Sequence, residues 1–231
     1  MKKTLLHYGL QRSGTNFLES LLKKNFKVSI PNLRKEREHP LQKHFRLYDD
    51  KTKIPEPKYY NKITYENFKE FEKSLGLSKE IQGVIIISKD PYSWLLSYEK
   101  WAKKCSWPNP EYHYIEEYYL FLNKWREFQK QTDKIIFIRY IDLLQKPEKI
   151  LSQIQEKFEL KNKFSIFNSK LTTTQKKVAV SDVFTQKKKD YYIKQHYLTK
   201  YTNQSLKSIN DILPNELMQF LQYEIIHQKN D

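Results

Sequence analysis

Short apolar runs, each followed by a polar turn, set the rhythm of the chain. Thr4 to Gly9 is the first of these runs and ends in a glycine. The polar turn Leu10 to Thr15 follows, and then Asn16-Phe17-Leu18-Glu19-Ser20-Leu21-Leu22, in which apolar residues at 17, 18, 21 and 22 recur at helical spacing. The pattern predicts strand, tight turn, helix. Val84-Ile85-Ile86-Ile87-Ser88 is almost wholly apolar and rich in β-branched residues, as a central strand covered on both faces requires. Lys134 to Tyr140 repeats that character and predicts another strand.

Helical spacing fills the intervals. Tyr65 to Leu75 predicts an amphipathic helix stopped near Gly76, and Ile115 to Gln131 a further helix. Asp90-Pro91 opens a helix over Tyr92 to Lys103, because aspartate caps free amides and proline suits a first turn. Glu148 to Phe158 reads as a helix after Pro147. The charged stretch Pro31 to Pro57 holds one candidate strand, His44 to Tyr48. Residues 165–190 are polar and aperiodic, the pattern of a loop or lid, and 191–226 return to helical spacing, with Leu206, Ile209, Ile212 and Leu213 on a related face. Strands alternating with helices predict an α/β fold, a three-layer sandwich around a mostly parallel sheet, in one domain over residues 1–231.

Composition narrows the partners. Hydrophobic residues make up 39% and charged residues 30%, a folded composition with a wet surface. The 42 Lys and Arg against 27 Asp and Glu leave a formal charge of +15, so the partner is expected to be anionic: a phosphorylated nucleotide, an acidic glycan, anionic lipid or nucleic acid. A lone cysteine, Cys105, makes no internal bridge, and no Cys/His spacing fits a structural zinc. The first apolar run is broken at once by His7 and Tyr8, unlike a signal peptide, and no window approaches the roughly 18 apolar residues of a membrane span. A cytoplasmic protein is expected, with peripheral attachment to the inner face of the membrane through basic patches compatible with it.

Chemistry concentrates at two places. Gly9-Leu10-Gln11-Arg12-Ser13-Gly14-Thr15-Asn16 keeps the G-x-x-x-x-G spacing of a phosphate-binding loop at a strand-to-helix junction. The glycines permit a tight turn whose amides, with the first turn of the helix, point at one anion. Thr15 and Asn16 stand where a nucleotide triphosphatase carries its lysine and its magnesium-binding hydroxyl, which disfavours ATP or GTP hydrolysis. The positive charge lies inside the turn instead, on Arg12. Lys89 ends the best strand, at the sheet edge where open α/β folds bind ligands. Ser93 and Ser97 share a helical face that returns toward Lys89, and a lysine with a hydroxyl holds a second phosphate.

Together these segments resemble the sulfotransferases that use 3′-phosphoadenosine-5′-phosphosulfate (PAPS) and have a P-loop NTPase-like fold. Arg12-Ser13-Gly14-Thr15 is similar to their 5′-phosphosulfate turn, a basic residue followed by Ser-Gly-Thr, and Lys89 to Ser97 to their 3′-phosphate segment, normally an arginine and a serine at this separation. Lys89 keeps the charge and loses the bidentate fork. Arg139-Tyr140-Ile141-Asp142-Leu143-Leu144 with Pro147 resembles the family's Tyr-x-Asp-Leu segment after a strand. The tail resembles the closing helices of bacterial polysaccharide-type members.

The resemblance implies sulfonate transfer from PAPS to a hydroxyl or amine, leaving adenosine 3′,5′-bisphosphate, with no metal required. It implies Arg12, Ser13, Gly14, Thr15 and Asn16 around the phosphosulfate, Lys89 and Ser97 on the 3′-phosphate, Tyr140 beside the adenine and Asp142 fixing its loop. Many relatives add an Arg-Lys-Gly lid motif. This chain has no glycine after Gly83, and Lys187 to Lys189, with Lys188 at the centre, are the candidates for that charge. Lys43-His44 resembles the family's Lys/His-bearing catalytic strand, which makes His44 the candidate base, with His39 and Glu38 as alternatives. Tyr92, Trp94, Trp101 and Trp107 are candidates for a rim that stacks on a carbohydrate or glycolipid acceptor, with a small alcohol or phenol also open. A divergent P-loop kinase or a basic nucleic-acid-binding module are the alternatives, although no helix-turn-helix, zinc-finger or RNA-recognition signature is present and no stable nucleic-acid partner is expected.

Overall fold

Why the apolar runs become strands is visible in their alternation. In a computed structural model, which describes residues 2–36, 39–46, 65–107, 112–168 and 185–228, strands β1 (Lys3–Tyr8), β2 (Val28–Ser29), β3 (Gly83–Ser88) and β4 (Ile135–Arg139) form one parallel sheet in the order β2-β1-β3-β4. The register pairs Leu5 with Gly83 and Tyr8 with Ile86, then Val84 with Ile135 and Ser88 with Arg139. Every residue of β3 is buried. With β1 it is one of the two inner strands, as its apolar composition predicts.

Side chains that alternate along a strand serve opposite faces. Leu6, Tyr8, Val84 and Ile86 face one core, closed by α2 (Phe68–Ser74), α3 (Pro91–Lys104), α4 (Tyr114–Gln129), α8 (Asn203–Asn210) and α9 (Asn215–Leu221). Leu5, Ile85, Ile87 and Ile138 face the other, closed by α1 (Thr15–Asn25), α5 (Tyr140–Gln145) and α6 (Pro147–Phe158). Helix α7 (Gln186–Ile193) and a 3-10 turn at His196–Lys200 lead into α8. Asp90 caps α3 by accepting from the Ser93 amide, with Pro91 in the first turn.

Three predictions need correction. Residues 39–46 form bends, turns and irregular backbone with no strand from His44 to Arg46, and Leu47 onward lies outside the described residues in this segment. Phe45 and Arg46 are both buried, so consecutive side chains here turn inward instead of alternating. Tyr140 starts α5 rather than ending β4. The proposed lid divides: 165–168 pack beside the end of α1, 169–184 lie outside the described residues, and 186–190 are helical. No helix among the described residues is long and apolar enough to cross a membrane.

Candidate functional site

The turn between β1 and α1 is shaped by close contacts that only glycine tolerates. A Cβ on Gly9 would lie 2.5 Å from Ser13 Oγ and 2.8 Å from the Ile87 carbonyl. Gly14 has φ 100°, and a Cβ there would lie 2.5 Å from the Tyr140 ring. Arg12 adopts a left-handed φ of 71°, uncommon outside glycine and a mark of functional turns. Gly14 caps α1 without a side-chain hydrogen bond, so the helix's first-turn amides, from Gly14 through Asn16, open toward the turn. The Ser13 amide and hydroxyl both donate to the Leu10 carbonyl, at 3.1 and 2.7 Å, within the turn. Thr15 is buried, and Asn16 is half-buried and accepts from Lys43.

The 39–46 segment is fastened to this turn. The Gly9 amide donates to the Lys43 carbonyl at 3.1 Å, and His44 Nδ1 lies 2.7 Å from the Gly9 carbonyl. A carbonyl only accepts, so Nδ1 carries the proton and Nε2 holds the lone pair. Burial, followed by the charges of Lys43 and Arg46, pushes His44 down to about 3 against the bond to Gly9, so its ring is neutral at pH 7. His39 Nδ1 is taken up by the Leu41 amide, and Glu38 lies outside the described residues. Lys43 Nζ also donates to Glu19 at 3.1 Å.

A buried ionic network holds the turn from behind. Arg46 donates to Glu117 at 3.0 Å, to Gln11 Oε1 at 2.7 Å and to the His44 carbonyl at 2.7 Å. The Trp94 indole donates to the Gln11 carbonyl at 2.9 Å. Trp94 and Tyr92 are fully buried, which removes both from the expected acceptor rim. Leu95, Tyr98 and Ala102, also buried, continue them at steps of three and four residues as the core face of α3. Trp101 is half-buried with the Arg12 guanidinium 5.3 Å from its ring centroid, and Trp107 is half-buried against Tyr98.

Lys89 lies at the carboxyl end of β3, only 3% exposed. Its Nζ donates to Ser97 Oγ at 2.9 Å and to the Tyr192 hydroxyl at 3.3 Å, and it sits 4.4 Å from the Tyr192 ring centroid and 5.6 Å from that of Tyr140. Burial, then the charge of Arg12 and that of Lys188 on α7, lower Lys89 to about 7, with Asp90 opposing. Tyr140 is pushed up by burial and by Tyr192, against Arg12. Asp142 is held by both arms of Arg139, at 2.7 and 2.9 Å. A cleft of about 260 Å³ opens here, lined by Lys89, Asp90, Ser93, Tyr140, Tyr192 and Tyr223 among others.

Arg12, Lys89, Tyr140 and Lys188 are therefore neighbours in one electrostatic field, and His44 adjoins the same turn through Gly9. Sequence reasoning missed Gln11, Arg46 and Glu117, whose link depends on tertiary structure. It also missed Tyr192, which lies in a tyrosine pair one residue beyond the lysine run Lys187 to Lys189.

No family profile matches the chain, and no curated protein matches it in sequence. Solved structures do match in fold. A mouse sulfotransferase, SULT7A1 complexed with PAP, superposes with a TM-score of 0.50 at 13% identity, covering 95% of this chain and 85% of its own. A sulfotransferase from Alicyclobacillus acidocaldarius superposes with a TM-score of 0.50 at 8% identity, covering 97% of each chain. The chain thus has an α/β fold of the kind found in these sulfotransferases.

Proposed function

We propose that this protein is a PAPS-dependent sulfotransferase of the P-loop type, acting on a carbohydrate hydroxyl. The observation that carries the reading is Tyr140, whose ring packs on Gly14 of the turn and also lies beside the Lys89 ammonium. Two cation-bearing anion sites thereby meet across one aromatic ring, an arrangement suited to a nucleotide with phosphates at both ends of its ribose. PAP, present with the mouse sulfotransferase, is such a molecule.

In this reading the amides of Gly14, Thr15 and Asn16 and the Arg12 guanidinium hold the 5′-phosphosulfate, while Lys89, Ser97 and Lys188 hold the 3′-phosphate. His44 Nε2 takes the proton from the acceptor hydroxyl as its oxygen bonds to sulfur. The bond from sulfur to the bridging oxygen breaks, and its electrons remain on the 5′-phosphate of the departing bisphosphate. Arg12 stabilises the charge that develops there. A ring with a pKa near 3 is a weak base in the empty site, and the anionic donor raises it by favouring the imidazolium. Trp101, beside Arg12, offers the flat apolar face on which a sugar ring stacks.

Calorimetry with adenosine 3′,5′-bisphosphate and with ATP-magnesium tests the nucleotide class. The bisphosphate should bind more tightly, and a preference for ATP-magnesium would turn the reading to a kinase. Affinity should also depend on pH. Lys89 is charged in the free protein below about pH 7, and a bound phosphate restores that charge at higher pH, so binding above pH 7 takes up a proton. The affinity should fall by up to about tenfold per pH unit above neutrality, and Lys89→Met should give weak binding with little slope. His44→Ala should retain bisphosphate affinity and lower sulfonate transfer by about 100-fold or more; unchanged transfer at saturating donor and acceptor would remove His44 from the role.

A further inference from the structure

Large apolar side chains exposed to solvent are few among the described residues, and two of the three sit together on the loop after α6: Phe164, 65% exposed, and Ile166, 79% exposed. Their exposure is set by the backbone. On one side the Lys27 amide donates to the Lys161 carbonyl at 2.9 Å and the Lys163 amide to the Asn25 carbonyl at 2.7 Å. On the other the Asn168 amide donates to Asn25 Oδ1 at 2.6 Å, and Asn25 Nδ2 returns a bond to the Asn168 carbonyl at 3.1 Å. Phe167 turns inward, its ring centroid 5.8 Å from that of Phe26. The tip Phe164-Ser165-Ile166 is therefore fastened at both ends with its apolar side chains held outward.

Lysines surround this tip. Lys23, Lys27, Lys161 and Lys163 are exposed on the tip's own loop and on the facing end of α1, with Lys24 half-buried among them. Of the neighbouring carboxylates, Glu159 pairs with Lys3 and Glu19 with Lys23 and Lys43, and Glu156 on the last turn of α6 is exposed. The loop lies by the end of α1, the end of α6 and the start of β2, the amino edge of the sheet. Lys89 and the cleft occupy the carboxyl edge, on the opposite side.

We propose that this edge docks on an anionic lipid bilayer, with Phe164 and Ile166 inserted at the level of the head groups and the lysines on acidic lipids. Apolar tips within a basic ring match the layered chemistry of that interface. A stable protein partner requires roughly 800 Å² of complementary surface on each side, whereas the apolar part of this patch comes from two side chains. Docked this way, the protein turns its cleft toward solvent. The inference is independent of the nucleotide reading, since none of these residues belongs to the cleft or the glycine turn.

Sedimentation of the intact protein with vesicles tests it. Phosphatidylcholine vesicles containing phosphatidylserine should carry the protein down, pure phosphatidylcholine much less, and added salt should weaken the binding. Phe164→Ser with Ile166→Ser should lower the partition coefficient by about tenfold or more, with the melting temperature and bisphosphate affinity unchanged. Lys161→Glu with Lys163→Glu should weaken binding to the acidic vesicles in the same way. The inference is overturned by a wild-type protein that stays in solution with acidic vesicles at low salt, by equal binding to neutral vesicles, or by a serine variant that binds as the wild type does.

Discussion

Replacing Arg46 with methionine should lower the stability of the protein by about 3–5 kcal/mol. The Glu117 carboxylate is fully buried, and Arg46 is its cation, 3.0 Å away. Methionine fills much of the same volume and leaves that carboxylate with the Tyr98 and Tyr112 hydroxyls. Most of the expected loss comes from the stranded charge, because a buried ion pair in itself adds little over a well-packed apolar pair. Arg46→Met combined with Glu117→Leu should therefore recover a large part of the stability, read as the midpoint of urea unfolding in a double-mutant cycle. Bisphosphate binding should be weakened in the single and in the double variant alike, since Gln11 Oε1 and the His44 carbonyl have lost their donor in both. A double variant with normal binding would show that this network stabilises the fold without shaping the turn.

Arg12→Gly should separate the charge of the turn from its backbone. Arg12 holds φ at 71° with a side chain that disfavours it. Glycine relieves that cost, so the melting temperature should hold or rise. Sulfonate transfer should nevertheless fall by about 100- to 1,000-fold, the usual consequence of removing one group that stabilises developing charge. Arg12→Lys should keep a share of the activity, because an ammonium supplies the charge without the fork or the stacking on Trp101. Release of bisphosphate from PAPS in the presence of sugar acceptors measures both. Full activity in Arg12→Gly would remove the guanidinium from the chemistry.

The elements that the sequence discloses are those with a strong local signal. β3 and β4 are β-branched runs, β1 is a short apolar run ended by a glycine, α1, α3, α4 and α6 carry apolar stripes, and Asp90-Pro91 is a helix start that the structure uses as read. β2 is two residues long and offers no period to detect. Helix α7 escaped because none of its residues is buried, so it has no apolar stripe and its lysines read as loop. The strand expected from His44 failed because Lys-His-Phe-Arg-Leu-Tyr mimics polar and apolar alternation, while Arg46 turns inward to a partner 71 residues away. That separation explains what was legible in the candidate site. Lys89 and Ser97 are joined by one helix start and two turns, so their contact follows from spacing. Arg46 and Glu117 meet only once α4 packs against α3 and the 39–46 segment, and no local pattern announces it.

The most direct measurement is a crystal structure of the protein soaked with adenosine 3′,5′-bisphosphate. One phosphate should lie on the amides of Gly14 to Asn16 within reach of Arg12, the other between Lys89 and Ser97, with Tyr140 beside the base. Phosphates bound elsewhere, or a nucleotide that engages one of these places and leaves the other empty, would contradict the two-site account.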